Sequence, residues 1–234
     1  MSIRTPLATL LALLPLLPLS AEDRVQPLAR GDRIVFLGDS ITQGGGGPKG
    51  YVTLYTQAVQ AAHPDFDLTT INAGISGNKV PNLQARLDKD VIARKPTLVY
   101  IYIGINDVWH GEKDPAKGTS PEVYEAGLKD LIARIQAAGA RVILCTPTVI
   151  GEKTQGGNKL DAALDAYADI SRKVAAETRS PLCDLRKVFL DYLKTHNPEN
   201  QEKGILTRDR VHLNEAGNRL VAEAMLKMVG ETLP

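Results

Sequence analysis

From residue 33 onward, short continuous apolar runs alternate with longer stretches in which apolar residues recur every three or four positions. Runs of the first kind have strand length and no polar alternation, which predicts strands over 33–37, 68–72, 98–103, 141–146 and 181–184, each buried on both faces. Between them, helical spacing links Tyr51, Leu54, Ala58 and Ala62; Leu83, Leu87 and Val91; Tyr124, Leu128, Leu131 and Ile135; and Leu160, Leu164, Tyr167 and Val174. Ser120-Pro121 supplies an N-cap and a first-turn proline for the third of these helices, and Gly139 supplies its stop. A last helix is predicted over 214–229, with Leu220, Val221, Ala224, Met225 and Met228 facing inward. Strand and helix patterns that alternate in this way belong to an α/β chain built of βα units around a mostly parallel sheet. No internal repeat or linker divides it.

The first residues follow a different pattern. Arg4 precedes an apolar stretch over 6–19, interrupted by Pro6, Pro15 and Pro18 and ending at Leu19-Ser20-Ala21. That stretch is short for a bilayer span and predicts an export signal over 1–21, leaving one domain over 22–234 in a secreted or periplasmic location. No stable membrane insertion is expected once the signal is removed. Leu19 is a poor residue before a cleavage site, which keeps an uncleaved anchor as the alternative.

Composition narrows the chemistry. Of 234 residues, 43% are hydrophobic and 24% charged, enough for a packed core. Lys plus Arg is 28 against 27 Asp plus Glu, with no run of either sign, which argues against nucleic acid as a partner. Cys145 and Cys183 cannot build a four-thiolate zinc site, and no two of His63, His110, His196 and His212 stand three to five residues apart, so no such zinc site is expected. Cys145 and Cys183 fall in the last two predicted strands, where buried thiols are the first expectation and a disulfide, which export would permit, the second. His63 and His196 read as surface residues.

In an open parallel sheet the functional groups gather at the carboxyl ends of strands. The first strand ends in Gly38-Asp39-Ser40-Ile41-Thr42, where a serine at a strand-to-helix turn can serve as a nucleophile. Gly44-Gly45-Gly46-Gly47 follows but lacks the Lys-Ser/Thr of a phosphate loop. After the second strand comes Asn72-Ala73-Gly74-Ile75-Ser76-Gly77-Asn78, and after the third Gly104-Ile105-Asn106-Asp107. The backbone N–H groups of Ser40 and Gly77 and the side-chain amide of Asn106 would together form an oxyanion hole. Before the last helix, Asp209 precedes His212 by three residues, close enough to fix the imidazole tautomer so that its other nitrogen can take a proton from serine.

The order Gly38-Asp39-Ser40, Gly77, Gly104-x-Asn106-Asp107 and Asp209-x-x-His212 resembles the GDSL esterase/lipase family, also called SGNH hydrolases. The resemblance spans nearly the whole chain after residue 22. It implies a three-layer flavodoxin-like α/β fold, a five-stranded parallel sheet flanked by helices in the order 2-1-3-4-5, and serine esterase chemistry without a metal. In its terms Ser40 is the nucleophile, Gly77 and Asn106 complete the oxyanion hole, His212 is the general base and Asp209 orients it. The four glycines after Gln43 replace the bulkier residue more usual in the family. Asp39, Tyr51, Trp109 and His110 lie next to these blocks and are candidate substrate contacts. Each has a plain structural alternative: Asp39, like Asp107, as a loop fastener, the two rings as packing, His110 as an exposed loop residue. The expected partner is a small acyl ester, above all an acetylated saccharide, because the segments 43–50, 111–120 and 151–159 carry little apolar area for a long acyl chain. An acyltransferase, a lysophospholipase or thioesterase, and a non-catalytic carbohydrate-binding scaffold are the alternatives.

Overall fold

The computed structural model describes residues 25–234, and the predicted export signal lies outside them. The described residues form five strands, β1 (Arg33–Gly38), β2 (Thr69–Gly74), β3 (Leu98–Tyr102), β4 (Arg141–Cys145) and β5 (Leu182–Cys183). Their helices are α1 (Ser40–Gly44), α2 (Tyr51–Ala62), α3 (Val80–Asp90), α4 (Ile105–Trp109), α5 (Pro121–Ala137), α6 (Asp161–Thr178), α7 (Leu185–His196) and α8 (Glu215–Lys227). The strands are parallel in the order β2-β1-β3-β4-β5, which is the predicted order.

Central strands read as continuous apolar runs because helices cover both faces: β3 is buried throughout, and only Arg33 at the start of β1 reaches solvent. β2 departs from expectation. As an edge strand it buries only Ala73 fully. β5 is shorter than predicted because Asp184 already caps α7, accepting the Lys187 N–H. Cys145 and Cys183 are register partners on β4 and β5 and remain buried thiols, with burial pushing the Cys145 thiol up.

Ser120 caps α5, accepting the Val123 N–H, and Gly139 adopts a positive φ of 84° just past its end. The buried face of α2 is rotated from the predicted one. Tyr51, Val52, Tyr55, Ala58 and Val59 are inside, while Ala62 is exposed. Tyrosine can take these core positions because its hydroxyl finds partners: Tyr55 to Tyr100 at 3.3 Å, and Tyr100 to the Met225 carbonyl at 2.9 Å. α7 was not expected, although Leu185, Phe189 and Leu193 recur at four-residue spacing on its buried side. His63, expected at the surface, is half-buried, stacked on Phe66 and 2.7 Å from Glu231. His196 is exposed.

Arg186, at the start of α7, is 1% exposed and ties α6 to the loop after β4. Its guanidinium donates to Asp161 at 3.1 Å, Asp165 at 2.8 Å and the Thr148 carbonyl at 2.8 Å. Replacing it with methionine keeps much of the volume but leaves the buried Asp161 carboxylate without its cation. Arg186→Met should therefore cost roughly 3–5 kcal/mol, read as a lower urea midpoint at unchanged slope. A midpoint at the wild-type value would show that this buried pair contributes nothing net.

Candidate active site

Register places the site. Gly38 pairs with Gly74 on β2 and with Tyr102 on β3, so three strands end level and their loops converge beside the β1 terminus. Both glycines are required by close approach: a Cβ at Gly38 would lie 2.5 Å from the Tyr102 carbonyl, and one at Gly74 would overlap the Gln43 backbone nitrogen. Asp39 then caps α1 by accepting the Ile41 N–H at 2.9 Å, which fixes Ser40 as the first residue of that helix.

Ser40 Oγ lies 3.0 Å from His212 Nε2. The other imidazole nitrogen lies 2.7 Å from Asp209 Oδ2, while Asp209 Oδ1 accepts the N–H groups of His212 at 2.8 Å and Val211 at 3.2 Å. Partial burial raises the Asp209 carboxyl, but the His212 backbone N–H and imidazole and the Val211 N–H outweigh it and hold the group below the usual carboxylate range. Hydroxyl, imidazole and carboxylate thus form one hydrogen-bonded chain, able to withdraw a proton from the hydroxyl.

The loop after β2 is laced to this turn. Ile75 N–H donates to the Gly38 carbonyl at 3.2 Å, and Ser76 N–H to the Gln43 side chain at 2.8 Å. Asn106, buried in α4, donates one side-chain N–H to the Asn78 carbonyl at 3.1 Å, which sets it beside Gly77 and leaves its second amide hydrogen unused. Gly77 has φ 75°, and among the described residues neither its N–H nor that of Ser40 has an acceptor. The structure thus brings Ser40, Gly77, Asn106, Asp209 and His212 to one edge of the sheet.

The remaining candidates separate. Tyr51 is 0% exposed, its hydroxyl bonded to Thr42 at 2.8 Å, so it is core and offers no ring to a substrate. Asp39 is likewise buried; it fastens the α1 turn and cannot touch a ligand in the cleft. Asp107 plays the same part for α3, accepting the Val80 N–H at 3.0 Å. Trp109, 37% exposed, and His110 are at the surface at the end of α4. Partial burial and then the charge of Lys79 hold the His110 imidazole below its usual range.

That cleft has a volume of about 350 Å³, and Gly44, Gly47, Pro48 and Gly50 form its glycine-rich wall. Glycines keep the wall thin: a Cβ at the neighbouring Gly45 would come within 2.7 Å of the Tyr51 ring. Lys49 and Glu215, paired at 2.7 Å, and Arg208, Asn214 and Asn218 add to its polar lining, none of them named as a site residue from the sequence. Arg86 was missed too. From α3 it donates to the carbonyls of Gly38 at 2.9 Å and Ala73 at 2.8 Å and to the Asn78 side chain at 2.7 Å, joining the ends of β1 and β2. A charge beside Leu83 and Leu87 on an inward face was its signal.

Residues 36–220 match the model of the GDSL-like Lipase/Acylhydrolase family. The chain belongs to that family and is a carboxylic ester hydrolase. It is 35% identical over 217 residues to an acetylxylan esterase of Geobacillus stearothermophilus, an alignment covering 87% of this chain and 96% of that one. Among solved structures, the acetyl xylan esterase AlAXEase superposes with a TM-score of 0.81 at 42% identity, covering 84% of this chain and 99% of that one. The Geobacillus stearothermophilus acetylxylan esterase superposes with a TM-score of 0.78 at 34% identity, covering 88% and 97%.

The buried Asp39 carboxyl gives a titration that can be checked. Burial, with Asp107 nearby and despite the Ile41 N–H, raises it from 3.8 to about 7. Between those values the folded chain holds a proton that the unfolded chain has lost, so this group makes stability fall as pH rises from about 4 to about 7. Asp39→Asn keeps an oxygen for the Ile41 N–H and removes the titration. The stability of the variant relative to wild type should therefore grow by a few kcal/mol across that window, measured by urea unfolding at pH 4, 5.5 and 7. A difference independent of pH would mean that Asp39 is ionised in the fold.

Proposed function

We propose that the chain is a secreted or periplasmic esterase that removes acetyl groups from carbohydrate through an acyl-enzyme on Ser40. The observation that carries this reading is the hydrogen-bonded chain Ser40–His212–Asp209, at 3.0 and 2.7 Å, opening on a small cleft. His212 Nε2 takes the Ser40 proton as Oγ attacks the ester carbonyl, and Asp209 stabilises the imidazolium that forms. The N–H groups of Ser40 and Gly77 and the free hydrogen of the Asn106 amide receive the developing oxyanion. His212 returns its proton to the departing sugar oxygen, then activates water to release acetate.

Acetyl specificity follows from the cleft walls. The cleft's apolar side chains are only Ile41, Pro48 and Leu213, set among Gly44, Gly47, Lys49, Glu215 and Asn218, whereas each methylene of a longer acyl chain needs further apolar area to gain about 0.8 kcal/mol. The two relatives at 35% and 42% identity named for acetylated xylan support carbohydrate as the alcohol component. The export signal read over 1–21 supports the location. Among the described residues no helix is long and apolar enough to cross a membrane.

kcat/KM should fall from acetyl through butyryl to octanoyl p-nitrophenyl esters, and acetate should be released from acetylated xylan. Ser40→Ala should lower kcat by about 10⁴- to 10⁶-fold without unfolding the protein. A series that rises toward octanoyl would reject the acetyl-saccharide reading, and a Ser40→Ala variant with near wild-type hydrolysis would reject the nucleophile.

A further inference from the structure

Asp209 and His212 lie on a segment, 204–214, that belongs to no helix or named strand. Asp209 is exposed and His212 only half-buried, so their own side chains are little packed, although Leu206, Val211 and Leu213 anchor the same segment in the core. The backbone beneath them is closely tied. Gly204 N–H donates to the Thr207 carbonyl at 2.8 Å, Arg208 N–H to the His212 carbonyl at 2.9 Å and Asn214 N–H to the Leu206 carbonyl at 3.0 Å, while Thr207 and Leu213 pair as an antiparallel bridge. The turn between Asp209 and His212 also puts Arg210 at φ 86°, a conformation a side-chain-bearing residue keeps only where its surroundings impose it.

The contacts that hold this segment come from the loop after β4. Glu152, in the loop after β4, is 0% exposed, yet its carboxylate is fully satisfied. It accepts three consecutive backbone N–H groups, those of Ile205 and Leu206 at 2.8 Å each and that of Thr207, together with the Thr207 hydroxyl at 2.7 Å. Its own N–H donates to the Glu202 carbonyl at 2.9 Å, its carbonyl accepts from the Asn197 side chain at 2.8 Å, and the preceding Gly151 N–H donates to the strained Arg210 at 2.8 Å. Successive N–H groups converging on one anion form a nest, here occupied by a side chain of the same protein. No other acceptor in the described residues serves these three N–H groups, so without the carboxylate the buried ones of Leu206 and Thr207 and the part-buried one of Ile205 lose their partner.

We propose that Glu152 is the positioning residue of the Asp209–His212 pair: its carboxylate fixes the backbone of 205–207, and through it the turn that aims His212 Nε2 at Ser40. This rests on the role given to that pair above. Glu152 touches no reacting atom and lies more than fifty positions from the residues it holds. An error of about 1 Å in the position of a base costs on the order of 10²-fold in rate.

Glu152→Gln tests it, because glutamine keeps the shape but turns an NH2 group toward an N–H donor in place of an oxygen. Two readouts are needed: steady-state hydrolysis of p-nitrophenyl acetate, and the low-field proton resonance of the hydrogen bond between His212 Nδ1 and Asp209, which does not depend on turnover. Glu152→Gln should lower kcat about 10- to 100-fold with KM within about twofold, and weaken or abolish the resonance. Thr207→Val, which removes one of the four donors, should move both in the same direction by less, and Thr207→Ser should restore them. Leu131→Ala, on the buried face of α5, is destabilising but should leave both readouts at wild type.

A folded Glu152→Gln with wild-type kcat and resonance would overturn the proposal. If that variant does not fold, Thr207→Val decides, and unchanged readouts there overturn it equally. Wild-type protein that shows the resonance, loses it in Glu152→Gln and yet hydrolyses no ester would sink the esterase reading while upholding the role of Glu152.

Discussion

The contact between Ser40 and His212 closes a separation of 172 residues to 3.0 Å, and the backbone bonds accepted by Asp39 on one side and Glu152 on the other hold the segments that meet there. Neither side chain is itself buried in the apolar core, although Ile41, Val211 and Leu213 next to them are. Ser40 stands where β1 gives way to α1, and its position follows from the level ends of β1, β2 and β3 and from the cap that Asp39 places on the turn. His212 stands on an irregular segment held by the bonds that Glu152 makes beneath it. The sheet supplies precision on one side of the contact and a buried carboxylate supplies it on the other.

Buried acids serve this chain mainly as fasteners of backbone. Asp39, Asp107 and Glu152 each accept N–H groups at loop or helix starts that would otherwise be unsatisfied. Arg86 does the complementary work for carbonyls, binding those of Gly38 and Ala73 at once. Asp209 differs, since it is exposed and tuned downward by the groups it bonds, which keeps it charged opposite the imidazole. A carboxylate of that kind suits a partner that gains and loses a proton in each turnover.

Much of this was legible in the residues because it is written in local terms. Apolar runs gave five strands within one or two residues at their ends, and the blocks read beside them include Ser40, His212 and Asp209, which form one hydrogen-bonded chain, and Asn106, which bonds the loop that carries Gly77. What stayed hidden depends on long-range pairing. The role of Glu152 is invisible without knowing that 205–207 passes above it, and that of Arg86 without knowing that two strands end level beside it. Tyr51 misled because an aromatic ring next to a catalytic block looks available, whereas its hydroxyl is satisfied internally by Thr42. β2 misled because its reading as a buried run passed over Thr69, Thr70 and Asn72, polar residues that an edge position leaves exposed or half-buried.

The proposed chemistry makes Ser40 carry the acyl group between two half-reactions, and that intermediate can be seen directly. Protein quenched in acid during turnover of p-nitrophenyl acetate and digested for mass spectrometry should show one acetyl group on the peptide containing Ser40, absent from Ser40→Ala treated in the same way. Acetylation at another residue, or rapid hydrolysis with Ser40 never modified, would contradict a covalent route through this serine.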